Sequence, residues 1–144
     1  MFLGEYQYTL DAKSRLTIPA KYRELLAPTL VITRNPSEPC LMVLPLPQWN
    51  TLTGKLSSLP MTDPVSALLR RALFTAAEDV KADGQGRILL SQRLRDYAHI
   101  EADVLIAGVY SHLELWNPQL WDERVMAQVN NSDVTGQMFA ALGI

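Results

Sequence analysis

The chain has 144 residues, 48% hydrophobic and 19% charged, enough apolar content for a real core in one domain or two very small ones and a poor match to collagen-like, low-complexity or coiled-coil compositions. One cysteine, Cys40, excludes an internal disulfide and a zinc ribbon, while the opening Met1-Phe2-Leu3-Gly4-Glu5 has no signal-peptide pattern and no stretch nears the roughly 20 apolar residues of a membrane span, so a cytoplasmic chain without a membrane partner is expected. The net charge of −2 argues against nucleic-acid binding through bulk charge, but phosphates respond to patches within about 8–10 Å, so the placement of the basic residues matters more than their sum.

In chain order, Tyr6, Tyr8 and Leu10 alternate with polar residues and predict a half-buried strand, followed by a turn over Asp11 to Ser14 and a return strand from Arg15 to Pro19. Pro19 suits the first turn of a short helix over Ala20 to Leu26. Two more strands are expected at Leu30 to Thr33 and Leu41 to Leu44, then a helix from Pro47 to about Leu59 with Trp49, Leu52 and Leu56 on one face. Asp63-Pro64 opens a linker helix carrying Val65, Leu68, Leu69, Ala72 and Leu73, and this helix is the candidate surface for self-association.

The sequence then repeats itself. Asp11 to Glu24 aligns without a gap on Asp83 to Asp96, with identical residues at Asp11/Asp83, Arg15/Arg87 and Arg23/Arg95. The 72-residue offset returns at Leu41/Leu113, Val43/Leu115 and Trp49/Trp121 after a two-residue slip at Leu30/Val104. Such a repeat is the first thing to settle, because missing it misreads the fold. It divides the chain into a first unit with its C-terminal helix (1–60), the linker helix (61–76), a second unit with its C-terminal helix (77–130) and a flexible tail (131–144). The fold class is α+β.

The chemistry sits in the two turns, Asp11-Ala-Lys-Ser-Arg15 and Asp83-Gly-Gln-Gly-Arg87. Asp11 and Asp83 can accept from backbone N–H groups two residues on, and Gly84 and Gly86 can supply positive φ, which makes these four structural turn residues. Arg15 and Arg87 admit two readings. Each is either a solvated turn arginine paired with a carboxylate or a contact to phosphate or guanine, whose O6 and N7 fit the planar guanidinium fork. Lys13 adds a charge in the first copy alone. Arg23 and Arg95 either pair with the turn aspartates or reach DNA.

Enzyme signatures are missing: the chain has no HExxH, GxxxxGK[ST] or GxSxG and no cysteine pair, and His99 and His112 stand alone. No catalytic residue, metal ligand, cofactor or small-molecule substrate is expected. Trp49, Trp116 and Trp121 can serve as base-stacking platforms, although repeat-equivalent helix positions favour packing.

Together, the opening Met-Phe-Leu-Gly-Glu-Tyr, the turn Asp-Ala-Lys-Ser-Arg with its following Leu-Thr-Ile-Pro-Ala-Lys-Tyr-Arg, and the second Asp-Gly-Gln-Gly-Arg resemble the bacterial MraZ family over about residues 1–125. The resemblance implies two tandem pseudo-symmetric AbrB-like swapped-hairpin β-barrel halves that mimic, in one chain, a dimer of AbrB-type proteins. It implies a transcriptional repressor of the division and cell-wall gene cluster, its own promoter included, which binds short G-rich direct repeats in double-stranded DNA as a ring-like homo-oligomer associated with the nucleoid. Lys13, Arg15 and Arg87 are then the DNA-binding residues, with Arg23 and Arg95 beside them. Ser14 stands where the family's first turn usually has Gly, and Gln85 where the second usually has Lys. An AbrB-type interaction module, antitoxin-like in character, is the alternative.

Overall fold

A computed structural model of the chain describes residues 1–144, the side chain of Ser132 excepted. The first copy of the repeat gives β1 (Phe2–Thr9), β2 (Arg15–Thr17), a 3-10 turn (Ala20–Tyr22) running into α1 (Arg23–Leu26), β3 (Leu30–Arg34), β4 (Leu41–Pro45) and α2 (Leu46–Ser57). The linker forms α3 (Pro64–Phe74), with Pro64 in its first turn and the Asp63 carboxylate accepting from the Ser66 N–H at 3.0 Å. The second copy gives β5 (Glu78–Val80), β6 (Arg87–Leu89), α4 (Gln92–Tyr97), β7 (Asp103–Tyr110), β8 (Leu113–Trp116) and α5 (Pro118–Leu120). A π-helical stretch (Trp121–Met126) then continues into α6 (Ala127–Val129), and α7 (Ser132–Ala141) follows. Among the described residues no helix is long and apolar enough to cross a membrane.

The pairing of strands is exchanged between the two copies. One six-stranded antiparallel sheet has the order β1-β7-β8-β4-β3-β5, and β2 pairs with β6 in a separate ribbon. The first strand of each copy therefore lies on the third strand of the other, Tyr8 opposite Val104 and Val80 opposite Leu30. The turn after β1 closes locally through Asp11 N–H to Arg15 O at 3.1 Å, yet β1 and β2 form no ladder together. The swapped α+β architecture is what the resemblance implied.

A pseudo-twofold axis can be located from the register alone. In the ribbon Leu16 faces its own repeat partner Ile88, and in the sheet Met42 faces its partner Glu114. Leu16, Ile88, Leu41 and Leu113 are fully buried, and with Ile18, Leu90, Ile32, Ile106, Val43 and Leu115 they fill the space between ribbon and sheet. Alternation in β3, β4, β7 and β8 sends one set of side chains to this core and the other to the outer face of the sheet. There the π-helical stretch covers Leu105, Ala107 and Trp116 with Trp121, and Cys40 is packed among them. Burial and the nearby Glu114 charge push the Cys40 thiol well above its usual range, which fits a packing role.

One local expectation changes in the structure. Gly84 does not adopt positive φ; the left-handed residues of the two turns are Ser14 (φ 60°) and Gly86 (φ 76°), at equivalent positions. Within the segment 131–144 lies α7; its Val134, Met138 and Phe139, and Leu142 just past its end, are exposed. All three tryptophans are packed: Trp116 and Trp121 meet edge to face with centroids 5.7 Å apart, and Trp49 meets Phe74 at 5.8 Å.

Candidate nucleic-acid interface

The two turns flank the short antiparallel β2–β6 ribbon, one at each end, with the Arg15 and Arg87 side chains meeting between them, and both are built by the same set of hydrogen bonds. In the first, Asp11 Oδ1 accepts from the N–H groups of Lys13 and Arg15, both at 2.9 Å, and Asp11 O accepts from Ser14 N–H at 2.9 Å. In the second, Asp83 Oδ1 accepts from Gln85 and Arg87 N–H, again at 2.9 Å, and Asp83 O from Gly86 N–H at 2.9 Å. Aspartate's short carboxylate folds each turn onto itself. Ser14 therefore does not change the turn type, although a left-handed serine costs about 1 kcal/mol that glycine does not.

The second oxygen of each aspartate reaches its own arginine. Arg15 Nε lies 2.7 Å from Asp11 Oδ2 and Arg87 Nε 2.8 Å from Asp83 Oδ2. Across the axis, Arg15 Nη1 is 4.0 Å from Asp83 Oδ2 and Arg87 Nη1 is 4.0 Å from Asp11 Oδ2. Four charges thus form a reciprocal square, and the carboxylates grip the guanidinium groups from the Nε side. Among the described residues neither Nη2 has a hydrogen-bond partner, and the side chains of Arg15 and Arg87 are 29% and 28% exposed. Lys13 and Gln85 occupy the turn tips and are exposed.

Arg23 and Arg95 do not pair with the turn aspartates. Each Nε donates at 3.1 Å to the carbonyl of the residue just past the ribbon strand, five positions earlier, Ile18 O for Arg23 and Leu90 O for Arg95. Ile18 N–H in turn donates to Gly86 O at 2.8 Å, and Leu90 N–H to Ser14 O at 3.0 Å. Each arginine thereby braces the turn of the opposite copy. The Arg23 guanidinium lies directly against Gly86, in the space a Cβ there would fill. Arg23 and Arg95 thus lie beside the square on backbone carbonyls, with no carboxylate paired to them among the described residues; Arg95 Nη2 also donates to Gln92 Oε1 at 3.1 Å.

Two features escaped sequence reasoning. Gly108 faces Gly4 in the β1–β7 pairing, where β1 comes too close for any side chain; a lone glycine inside the apolar run Val104 to Val109 was the available signal. Leu89, paired with Arg15 and 56% exposed, sets an apolar side chain beside the charged square where the first copy has Thr17.

The backbone N–H of Arg15 above all, aided by its guanidinium and the Lys13 N–H, holds the Asp11 carboxyl below the usual carboxylate range, and the equivalent groups of Arg87 and Gln85 do so for Asp83. A depressed folded-state pKa stabilises the fold at pH above the unfolded value, near 3.8, and that contribution is lost as pH falls through the folded value. Thermal melting should accordingly be insensitive to these groups between pH 8 and about pH 5 and fall in more strongly acid solution. An Asp11→Asn, Asp83→Asn double variant should show a shallower acid decline than the wild type. Parallel declines would remove the turns from the acid response.

The repeat seen in the strands is also a repeat at family level: the family model described as "MraZ protein, putative antitoxin-like" matches residues 1–72 and again residues 73–140. The chain belongs to the MraZ family. It is 42% identical over 142 residues to a "Transcriptional regulator MraZ" of Roseiflexus castenholzii, covering 99% of both chains. The MraZ proteins of Herpetosiphon aurantiacus and Acetivibrio thermocellus, under the same name, are 39% and 40% identical over 144 residues and 100% of both chains. That name is a regulator's and not an enzyme's. The first match ends inside α3 and the second inside α7, so each MraZ copy brings a terminal helix beyond its strands.

Proposed function

We propose that this MraZ protein is a DNA-binding transcriptional regulator that reads DNA with the paired turns. The observation that carries the reading is the reciprocal square of Arg15, Asp11, Arg87 and Asp83, which fixes two guanidinium groups across the pseudo-twofold with their outer edges unbonded. A guanidinium held in this way has lost its side-chain freedom before it meets a ligand, and a fork of fixed orientation suits guanine O6 and N7 or a phosphate. Lys13, Arg23 and Arg95 supply the surrounding positive charge. The aspartates orient the arginines and close the turns; they do not touch DNA.

Short G-rich direct repeats upstream of its own gene are the target, and the protein acts there as a cytoplasmic, nucleoid-associated repressor of the division and cell-wall cluster. One acidic chain with a small basic edge binds weakly, so a ring-like homo-oligomer places several edges on successive repeats and gains affinity from effective concentration. A salt dependence steeper than one pair of turns can produce is the signature of that arrangement. Fluorescence-anisotropy titration against the repeats and against scrambled DNA tests the reading. Selective binding with a steep salt slope is expected; equal affinity for both sequences would remove the sequence-reading role.

The antitoxin-like description of the family model and the exposed apolar residues of α7 favour one other reading, a module that captures another protein. In that case the captured protein binds equally well after Arg15→Ala.

A further inference from the structure

The two copies follow the same order of elements up to the end of α2, and then they part. α2 spans residues 46–57 and the α5–π–α6 rod spans 118–129, the same length at the same offset of 72. After α2 a link over 58–63 lets α3 turn back along it, whereas after α6 the link to α7 is only Asn130 and Asn131. α3 uses its longer link to take a seat. Thr33 Oγ1 donates to Leu73 O at 2.7 Å and Arg34 Nε to Ala72 O at 2.6 Å, fixing the helix end on the outer face of β3. Arg70 Nη2 donates to Leu56 O and Leu59 O, and Leu73 is buried.

The equivalent seat in the second copy lies over β7 and its neighbour β1. Ala107 and Gly108 replace Thr33 and Arg34 there, so the two tethers that hold α3 have no counterpart, although Glu5 is exposed opposite Ala107. Beside them Leu3 and Val109, cross-strand partners, are 48% and 40% exposed on the outer face, and Tyr110 follows at the strand end. α7, which should fill this place by the repeat, packs chiefly on α6 instead. Its Val134, Met138 and Phe139, with Leu142 at its C-cap, follow helical spacing along one side and stand in solvent, Met138 at 70%. One chain thus shows an exposed apolar patch at the end of the β1–β7 pair, beside the part of the face that the π-helical stretch already covers, and an exposed apolar helix side, and the shortened link keeps the two apart.

We propose that α7 of one copy lies on the outer β1–β7 face of a second copy, where α3 lies on β3 within the chain. The occupant is a second copy because the repeat pairs this helix type with this face, and the two-residue link does not carry α7 back along its own rod. Seat and helix are different patches of the surface, so the contact is head-to-tail and propagates into a closed ring or an open chain. It rests on the homo-oligomer reading above and names the surfaces that would make it.

Cysteine pairing tests it. A chain carrying Val109→Cys is mixed with one carrying Met138→Cys under mild oxidation; buried Cys40 serves as a silent background. A two-chain band formed on mixing, and absent from the wild type, is expected. No such band, or a crosslink confined to single chains when both cysteines share one chain, would overturn the proposal. Sedimentation of the Met138→Asp, Phe139→Asp variant gives the second readout: self-association at least tenfold weaker is expected, and unchanged assembly would overturn it. A wild-type protein monomeric at every concentration would sink the homo-oligomer reading itself, while an assembly that survives these substitutions would sink only this contact.

Discussion

Arg15→Ala and Arg87→Ala each lower the affinity for repeat DNA by about tenfold to a hundredfold per pair of turns, from the roughly 1–3 kcal/mol that a bidentate guanidinium contact contributes. Folding survives both changes. Asp11 Oδ1 and Asp83 Oδ1 keep their backbone N–H donors, and the lost ion pairs are partly exposed, where such pairs contribute about 1 kcal/mol or less. Arg15→Lys and Arg87→Lys separate two modes of contact. Lysine keeps the charge and loses the planar fork, so it restores affinity where the arginine touches phosphate and fails where it reads guanine. Titrations at one fixed salt concentration, with melting and oligomer size measured alongside, decide the matter. Wild-type affinity in both alanine variants would sink the assignment of the square to DNA.

Gly108→Ala is the most damaging small substitution expected. A Cβ at that position would stand 2.6 Å from Leu3 N and Phe2 C and 2.8 Å from Phe2 O. These are backbone atoms of the exchanged strand and cannot swing aside as a side-chain end can. Either β1 moves off β7, breaking ladder bonds at about 1 kcal/mol each, or the strain is absorbed at the roughly 1–3 kcal/mol typical of overpacking. A loss of about 3 kcal/mol in urea unfolding is expected, a large share of the roughly 5–15 kcal/mol that holds an ordinary domain together. Gly54→Ala, a helix position with nothing within 4 Å, is the control and should be neutral or stabilising. A cost under about 1 kcal/mol at Gly108 would show that β1 and β7 are less tightly joined than the pairing requires.

Local features were legible in the sequence because their causes are local. The Tyr6–Tyr8–Leu10 alternation, the Asp-x-x-x-Arg turns and the Asp63-Pro64 helix start depend on neighbours within a few residues, and all three fell where expected. The partner of each strand does not depend on neighbours. Nothing in the period of Phe2–Thr9 says that it pairs with residues 103–110, and that exchange came from the family resemblance. The partners of Arg23 and Arg95 were not legible for the same reason: a guanidinium near two aspartates allows an ion pair, but the chain places the carbonyls of Ile18 and Leu90 closer. The helix at 132–141 was not legible because its apolar residues are exposed and leave no buried face to mark it.

The central claim is that both turns of one chain face the same DNA. Photo-crosslinking from the tips tests it most directly, with a benzophenone side chain placed at Lys13, at Gln85 or, as a control, at Lys55 on the outer helix α2. Crosslinks to the repeat duplex from both tips and none from position 55 are the predicted result. Crosslinks from one tip alone, or from position 55 and neither tip, would contradict a paired edge.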